Sequence, residues 1–202
     1  FVGVTQQQVD AYPMAKTGRF PITGYESDGS PIVDQESGYP MDEMAYTDFV
    51  YPAWGGAASY KLNTVKMCTE RDPRFYRDIR YHGSWYGGTQ LNTAEGSDAV
   101  SSSYQETSSH TGYYLRKLYK DGWDKNKGSH VINGPAIWRL PAFIYIYSEA
   151  VNQVSGPNQE IYDLVNQVRE RSFMAPMPPA VMNNANLMQE YIRRERRVEL
   201  VY

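Results

Sequence analysis

The feature that most constrains the fold is the break Ser155-Gly156-Pro157, which separates two stretches of helical character. Ile137 to Val154 is dense in apolar residues and reads as a buried helix. Pro141 fits this helix only in its first turn, where the missing N–H leaves no hydrogen bond unmade. Asn158 then caps a second helix, in which Ile161, Leu164, Val165 and Val168 make one apolar face. The result is a helix–turn–helix the size of one helical-repeat unit, and no second copy of it occurs in the chain. A proline-punctuated link, Met174 to Pro179, leads to a last helix from Asn186. There Leu187, Tyr191, Arg194, Val198 and Val201 fall at helical spacing, and no glycine, proline or asparagine follows to stop it. A helix running uncapped to Tyr202 leads us to expect an incomplete piece of a larger protein.

The other two thirds have a different texture. Tyr12-Pro13, Phe20-Pro21, Ser30-Pro31, Tyr39-Pro40 and Tyr51-Pro52 punctuate the first sixty or so residues, and each pre-proline residue is pushed towards extended backbone. This segment reads as loop with one or two helical turns, Asp42 to Phe49 among them. Lys61 to Cys68 fits a short strand or a short helix. Asp72-Pro73 reads as an N-cap and an N1 proline opening a helical turn through Tyr76. Ile79 to Tyr81 and Gly112 to Tyr119 read as strands, and Gly83 to His110 as a long exposed loop. The expected organisation is a loop-rich, ligand-facing region over 1–132 and a helical region over 133–202, both parts of one domain. The fold class is mainly α with long loops and a few short strands.

Several chemistries are excluded or unsupported. A net charge of −3 does not suit a nucleic-acid binder, which needs a basic face to neutralise phosphates. The run Arg193-Arg194-Glu195-Arg196-Arg197 reads instead as a solvated helix face or an intramolecular ion-pair seam, with Glu190 and Arg194 one turn apart. A single cysteine, Cys68, rules out an internal disulfide and a cysteine-based zinc cluster. His82, His110 and His130 are scattered without ligand spacing, so no metal is expected, and no cofactor motif occurs. No pair of carboxylates stands out as a hydrolytic couple, and Asp42, Glu43 and Asp48 read as surface acids. No catalytic residue is assigned.

The aromatic balance points to binding. Tyrosine numbers 18 against 6 phenylalanines, and rings with a polar handle suit wet surfaces. Trp54, Tyr60, Tyr81, Trp85 and Tyr86 lie in or beside glycine-rich loops and are the candidate ligand-binding residues. A flat ring can stack on the apolar face of a sugar while neighbouring polar groups bind its hydroxyls. Trp123 and Trp138 are expected to be structural, the latter inside the buried helix.

A set of segments lying in order along nearly the whole chain resembles the SusD/RagB family. They are Thr5 to Met14 with Gly18, Glu70-Arg71-Asp72-Pro73-Arg74-Phe75, Thr111-Gly112-Tyr113-Tyr114-Leu115-Arg116-Lys117, Trp138-Arg139-Leu140 through Ser148-Glu149-Ala150, Val165-Asn166-Gln167-Val168-Arg169-Glu170-Arg171 and Ile192 to Leu200. The resemblance implies a SusD-like fold with tetratricopeptide-like helix pairs, and a structural role for the Arg/Glu-laced helix. It implies an outward-facing lipoprotein of the outer membrane that binds an oligosaccharide, or in some relatives a peptide. Its partner would be a SusC-like TonB-dependent transporter, with no catalysis and no cofactor. Pro141 departs from the alanine usual in the family. The resemblance leads us to expect that the family's longer N-terminal scaffold, with its lipid anchor, and its final segment lie outside these residues, and that Cys68 is not the anchoring cysteine. The family's ligand residues change with the ligand, so the candidate residues rest on the aromatic argument alone.

Overall fold

Asparagine side chains start two of the three long helices. The computed structural model describes residues 3–50, 61–86, 89–93, 109, 111–117, 136 and 138–201, with backbone alone for Lys61, Leu62, Tyr86 and Thr89. Helix α3 spans Leu140–Ser155 and carries Pro141 in its first turn, where a proline is tolerated. It ends at Gly156, which adopts φ 76° and donates its N–H to Asn152 O. Helix α4, Gln159–Arg171, begins at Asn158, whose side chain accepts the Ile161 N–H at 3.1 Å. Helix α5, Ala185–Glu199, begins at Asn184, which accepts the N–H groups of Asn186 and Leu187. The remaining helices are short: α1 is Gln6–Asp10 and α2 is Pro73–Asp78. Asp72 caps α2 by accepting the Arg74 N–H at 2.8 Å, as its position before Pro73 predicts. Among the described residues no helix is long and apolar enough to cross a membrane.

The chain divides into two compact units. The first comprises Phe1–Val9, Pro40–Thr69 and Phe75–Gly134; the second comprises Asp10–Tyr39, Glu70–Arg74 and Pro135–Tyr202. In the second unit α3, α4 and α5 close on a core that includes Tyr145, Ile161, Val165, Met188 and Ile192, all fully buried, with Phe20 packed edge-on against Tyr191. Burying each such side chain contributes about 1.5–3 kcal/mol. A two-stranded sheet of β1, Ile22–Tyr25, and β2, Pro31–Val33, belongs to the same unit.

Helix α3 corrects the expectation of a helix buried all round. It buries Ala142, Tyr145, Ser148 and Asn152, while Phe143, Ile146, Tyr147 and Val154 are exposed. Trp138 precedes the helix and is 65% exposed, so it is not a core residue. Composition misleads here because the inward face carries polar side chains, Tyr145, Ser148 and Asn152, among its apolar ones. The Asn152 amide donates to Ala185 O at 2.9 Å and to Gln189 Oε1 at 3.0 Å.

The Arg/Glu lacing of α5 is a seam turned inwards. Glu195 is fully buried and accepts hydrogen bonds from Arg169 Nη1 and, at 2.8 Å, from Arg74 Nη2. Arg74 also grips Asp72, with Nη2 to Oδ2 at 2.6 Å, and reaches Glu199 Oε2 at 3.3 Å. Arg139 and Arg171 complete the set from its half-exposed side, both paired with Glu199. Arg194 pairs with Glu190 at 2.7 Å, the one-turn pair expected from the spacing. Helix α5 does not run to the chain end. It stops at Glu199, whose carbonyl accepts Arg139 Nη2 at 2.7 Å in place of an N–H from a further turn.

In the first unit, Tyr46–Val50 forms strand β3 and Lys61–Val65 forms β4, paired antiparallel from Tyr46 opposite Val65 to Val50 opposite Lys61. The helical turn expected over Asp42–Phe49 is therefore mostly strand. The alternating burial of Tyr46–Val50 is the two-residue period of a half-covered sheet. Ile79–Arg80 is β5, paired with β8 at Tyr114–Leu115, so both predicted strands exist but are two residues long. Part of the expected Gly83–His110 loop is a small hairpin of β6, Trp85–Tyr86, and β7, Thr89–Gln90. Phe75, Tyr76 and Tyr81 pack ring against ring, with centroids 5.2–5.9 Å apart. The Tyr76 hydroxyl donates to Cys68 O at 2.9 Å.

Glu195→Gln removes one charge from between two buried guanidiniums and is expected to destabilise the protein by about 3–5 kcal/mol. Urea unfolding at neutral pH measures this, and a loss below about 1 kcal/mol, the scale of an exposed pair, contradicts a buried keystone. Acid supplies a second test. Burial pushes the Glu195 carboxyl up, but the charges of Arg169 and Arg74 and the Arg74 hydrogen bond outweigh it, so the net direction is down. Glu199 behaves likewise through burial opposed by Arg171 and Arg74. Depressed carboxylates stabilise fully above the ordinary glutamate value of 4.5 and lose that contribution as pH falls below it. Melting temperature should thus fall steeply below about pH 4.5, and Glu195→Gln should show a shallower fall; parallel profiles would contradict the assignment.

Candidate functional site

A cleft of about 360 Å³ lies in the first unit, within the size range of small-ligand sites. Strand β3 supplies Tyr46 and β4 supplies Asn63; the turn after β5 supplies His82 and Gly83. Gln90, at the end of β7, and Leu91 and Asn92 after it close the other side. Gly83 makes this convergence possible. Its φ is +84°, and a Cβ there would lie 2.5 Å from Asn63 O, so only glycine lets the turn meet β4 so closely. Its N–H donates to Leu91 O at 2.8 Å, and the Leu91 N–H donates to Ser84 O at 2.8 Å. Thr64 Oγ1 donates to His82 O at 2.6 Å, and Gln90 Nε2 donates to Asn63 O at 3.2 Å. The cleft walls are thus tied together by hydrogen bonds.

His82 has a defined protonation state. Its Nδ1 accepts the Thr93 backbone N–H at 3.1 Å, and a backbone N–H can only donate. The ring is therefore neutral with its hydrogen on Nε2. Burial holds its pKa below the ordinary histidine value of 6.5, in keeping with that tautomer. The Tyr46 ring meets His82 edge-on at 5.4 Å and is 56% exposed. Among the described residues that line the cleft there is no acidic side chain, lysine or arginine.

The residues chosen from sequence fall in different places. Trp54 and Tyr60 lie outside the described residues, as do His110, His130 and Trp123. Tyr81 is fully buried among Phe75 and Tyr76. Trp85 is 40% exposed on β6, directly opposite Gln90, and cross-strand partners share one face of a sheet. That puts Trp85 beside the cleft, although it is not a lining residue. Tyr86 is placed by its backbone, opposite Thr89. Tyr46, Asn63, His82, Gln90 and Asn92 were not chosen from sequence. The His82-Gly83-Ser84 turn was a signal available in the sequence, whereas the alternation through Tyr46–Val50 is one of burial and not of residue type.

Comparison with known proteins supplies the context. The family model described as the SusD family matches residues 1–202. The crystal structure of a SusD-like protein from Bacteroides fragilis superposes with TM-score 0.60 at 20% identity, over 99% of this chain and 33% of that one. The structure of BT4246 superposes with TM-score 0.64 at 19% identity, over 98% of this chain and 32% of that one. The chain thus spans about a third of the length of these solved proteins, and at such identities the likeness is one of fold. No curated protein is significantly similar in sequence.

The most local test of the cleft is Gly83→Ala. With a positive φ and a backbone oxygen in the way, it should cost about 1–3 kcal/mol of stability. It should also shift the amide resonances of Asn63 and Leu91. A variant as stable as the parent, with those resonances unmoved, contradicts the described turn.

Proposed function

This chain belongs to the SusD family, and on that footing we propose that it captures an oligosaccharide nutrient at the cell surface and passes it to a SusC-like TonB-dependent transporter. The observation that carries the reading is the family match along all the residues of the chain. The cleft supports it with an exposed tyrosine ring, side-chain amides and a neutral histidine, the groups that suit a ring bearing hydroxyls. The protein acts by binding, without catalysis, and needs no cofactor. It works on the outer face of the outer membrane, held there by a lipid anchor. Trp85, on the face it shares with Gln90, adds a stacking surface at the rim. Trp54, Tyr60 and Tyr86 are retained as further contacts on the aromatic argument.

Isothermal titration against a panel of oligosaccharides and peptides tests this function. Binding of at least one oligosaccharide, with no reducing sugar released on prolonged incubation, is expected. Binding of none, or steady release of sugar, would sink it. Trp85→Ala should weaken sugar binding; unchanged affinity removes that ring from the site. Co-purification with an outer-membrane barrel without any sugar binding would favour a scaffold role.

A further inference from the structure

We propose that the cleft between Tyr46 and His82 selects an uncharged ring rich in hydroxyls, and that it rejects uronic or sulfated sugars and peptide termini. This deepens the oligosaccharide-binding reading above and rests on it. The argument is one of matched polarity.

A hydroxyl can both donate and accept, and the cleft offers both. His82 Nε2–H is a donor of fixed sense, because Nδ1 is committed to the Thr93 N–H. Among the described residues His82 Nε2 makes no hydrogen bond, and neither do the Asn63 side-chain amide and Gln90 Oε1. The Gln90 Nε2 bond to Asn63 O fixes which way that amide faces, so Oε1 is left as an acceptor. Tyr46 gives the apolar element. Its ring is held edge-on by His82 and is more than half exposed, so one flat surface is available to the C–H face of a sugar. Leu91 extends that apolar contact.

Selection comes from what the lining lacks. A carboxylate, sulfate or ammonium entering the cleft gives up part of its water and needs an opposite charge in return. Among the described residues no lining side chain carries one, and His82 stays neutral to accept the Thr93 N–H. A charged ligand is therefore penalised, whereas a neutral one gives up hydroxyl–water bonds and regains them from the amides and imidazole. Discrimination thus arises from a missing charge more than from shape.

The test uses the purified protein against defined probes: maltohexaose, cellohexaose, xylohexaose and mannohexaose as neutral sugars, hexagalacturonate and a sulfated hexasaccharide as charged ones, and hexa-alanine as a peptide. A neutral sugar should bind at least about tenfold more tightly than any charged probe, the ratio that one unpaired charge readily gives. For that sugar Tyr46→Ala and Gln90→Ala should each weaken binding by about tenfold, while Tyr46→Phe, which keeps the ring, should stay within about threefold. Thermal melts confirm that the variants are folded, and Tyr46→Phe carries the comparison if Tyr46→Ala is not. Preference for a charged sugar or for the peptide overturns the selectivity. Neutral-sugar binding that ignores both alanine variants overturns the cleft assignment and leaves the proposed function standing. Binding of no sugar at all overturns both.

Discussion

Glu195 lies fully buried between two guanidiniums, and the second unit is organised around it. Arg169 comes from α4 and Arg74 from the start of α2, while Glu195 itself sits on α5. Arg169 reaches further, donating from Nε to Ala175 O and from Nη2 to Gly18 O, each at 2.9 Å. Glu199, one turn after Glu195, draws in Arg139 ahead of α3 and Arg171 at the end of α4. One cluster therefore fixes three helices and the segments 10–39 and 70–74 at a common point. Buried ion pairs rarely stabilise more than a well-packed apolar core would. The stabilisation comes from Tyr145, Ile161, Met188 and their neighbours, and the charges set the register in which those side chains meet.

Local signals were legible in the sequence. Asn158, Asp72 before Pro73 and the Ser155-Gly156-Pro157 break each act through bonds to residues at most a few positions away, and each does what its type predicts. The ion-pair seam was legible as a pattern, because i, i+4 spacing is written in the chain. Its depth was not, since burial of Glu195 depends on Arg74, 121 residues away. Helix α3 shows the opposite failure. Its apolar density promised burial on every side, yet Phe143 and Val154 are exposed and Ser148 and Asn152 are inside.

The cleft was the least legible part, for a related reason. Tyr46 and Asn63 meet because β3 and β4 pair, and His82 joins them because Gly83 permits a turn that a Cβ would obstruct. None of these residues is aromatic within a glycine-rich loop, the pattern that singled out Trp85 and Tyr81. Of those two, Tyr81 went to the core because Phe75 and Tyr76 offer it ring contacts, and Trp85 stayed at the surface opposite Gln90. Amide side chains in strands carry no signature of binding until the fold sets them around one space.

The central claim is that this space receives a sugar. A crystal structure of the protein soaked with its tightest-binding neutral oligosaccharide tests that directly. The account predicts one pyranose ring stacked on Tyr46, with hydroxyls within hydrogen-bond distance of His82 Nε2 and Gln90 Oε1. A sugar bound elsewhere, with only water between Tyr46 and His82, would contradict it.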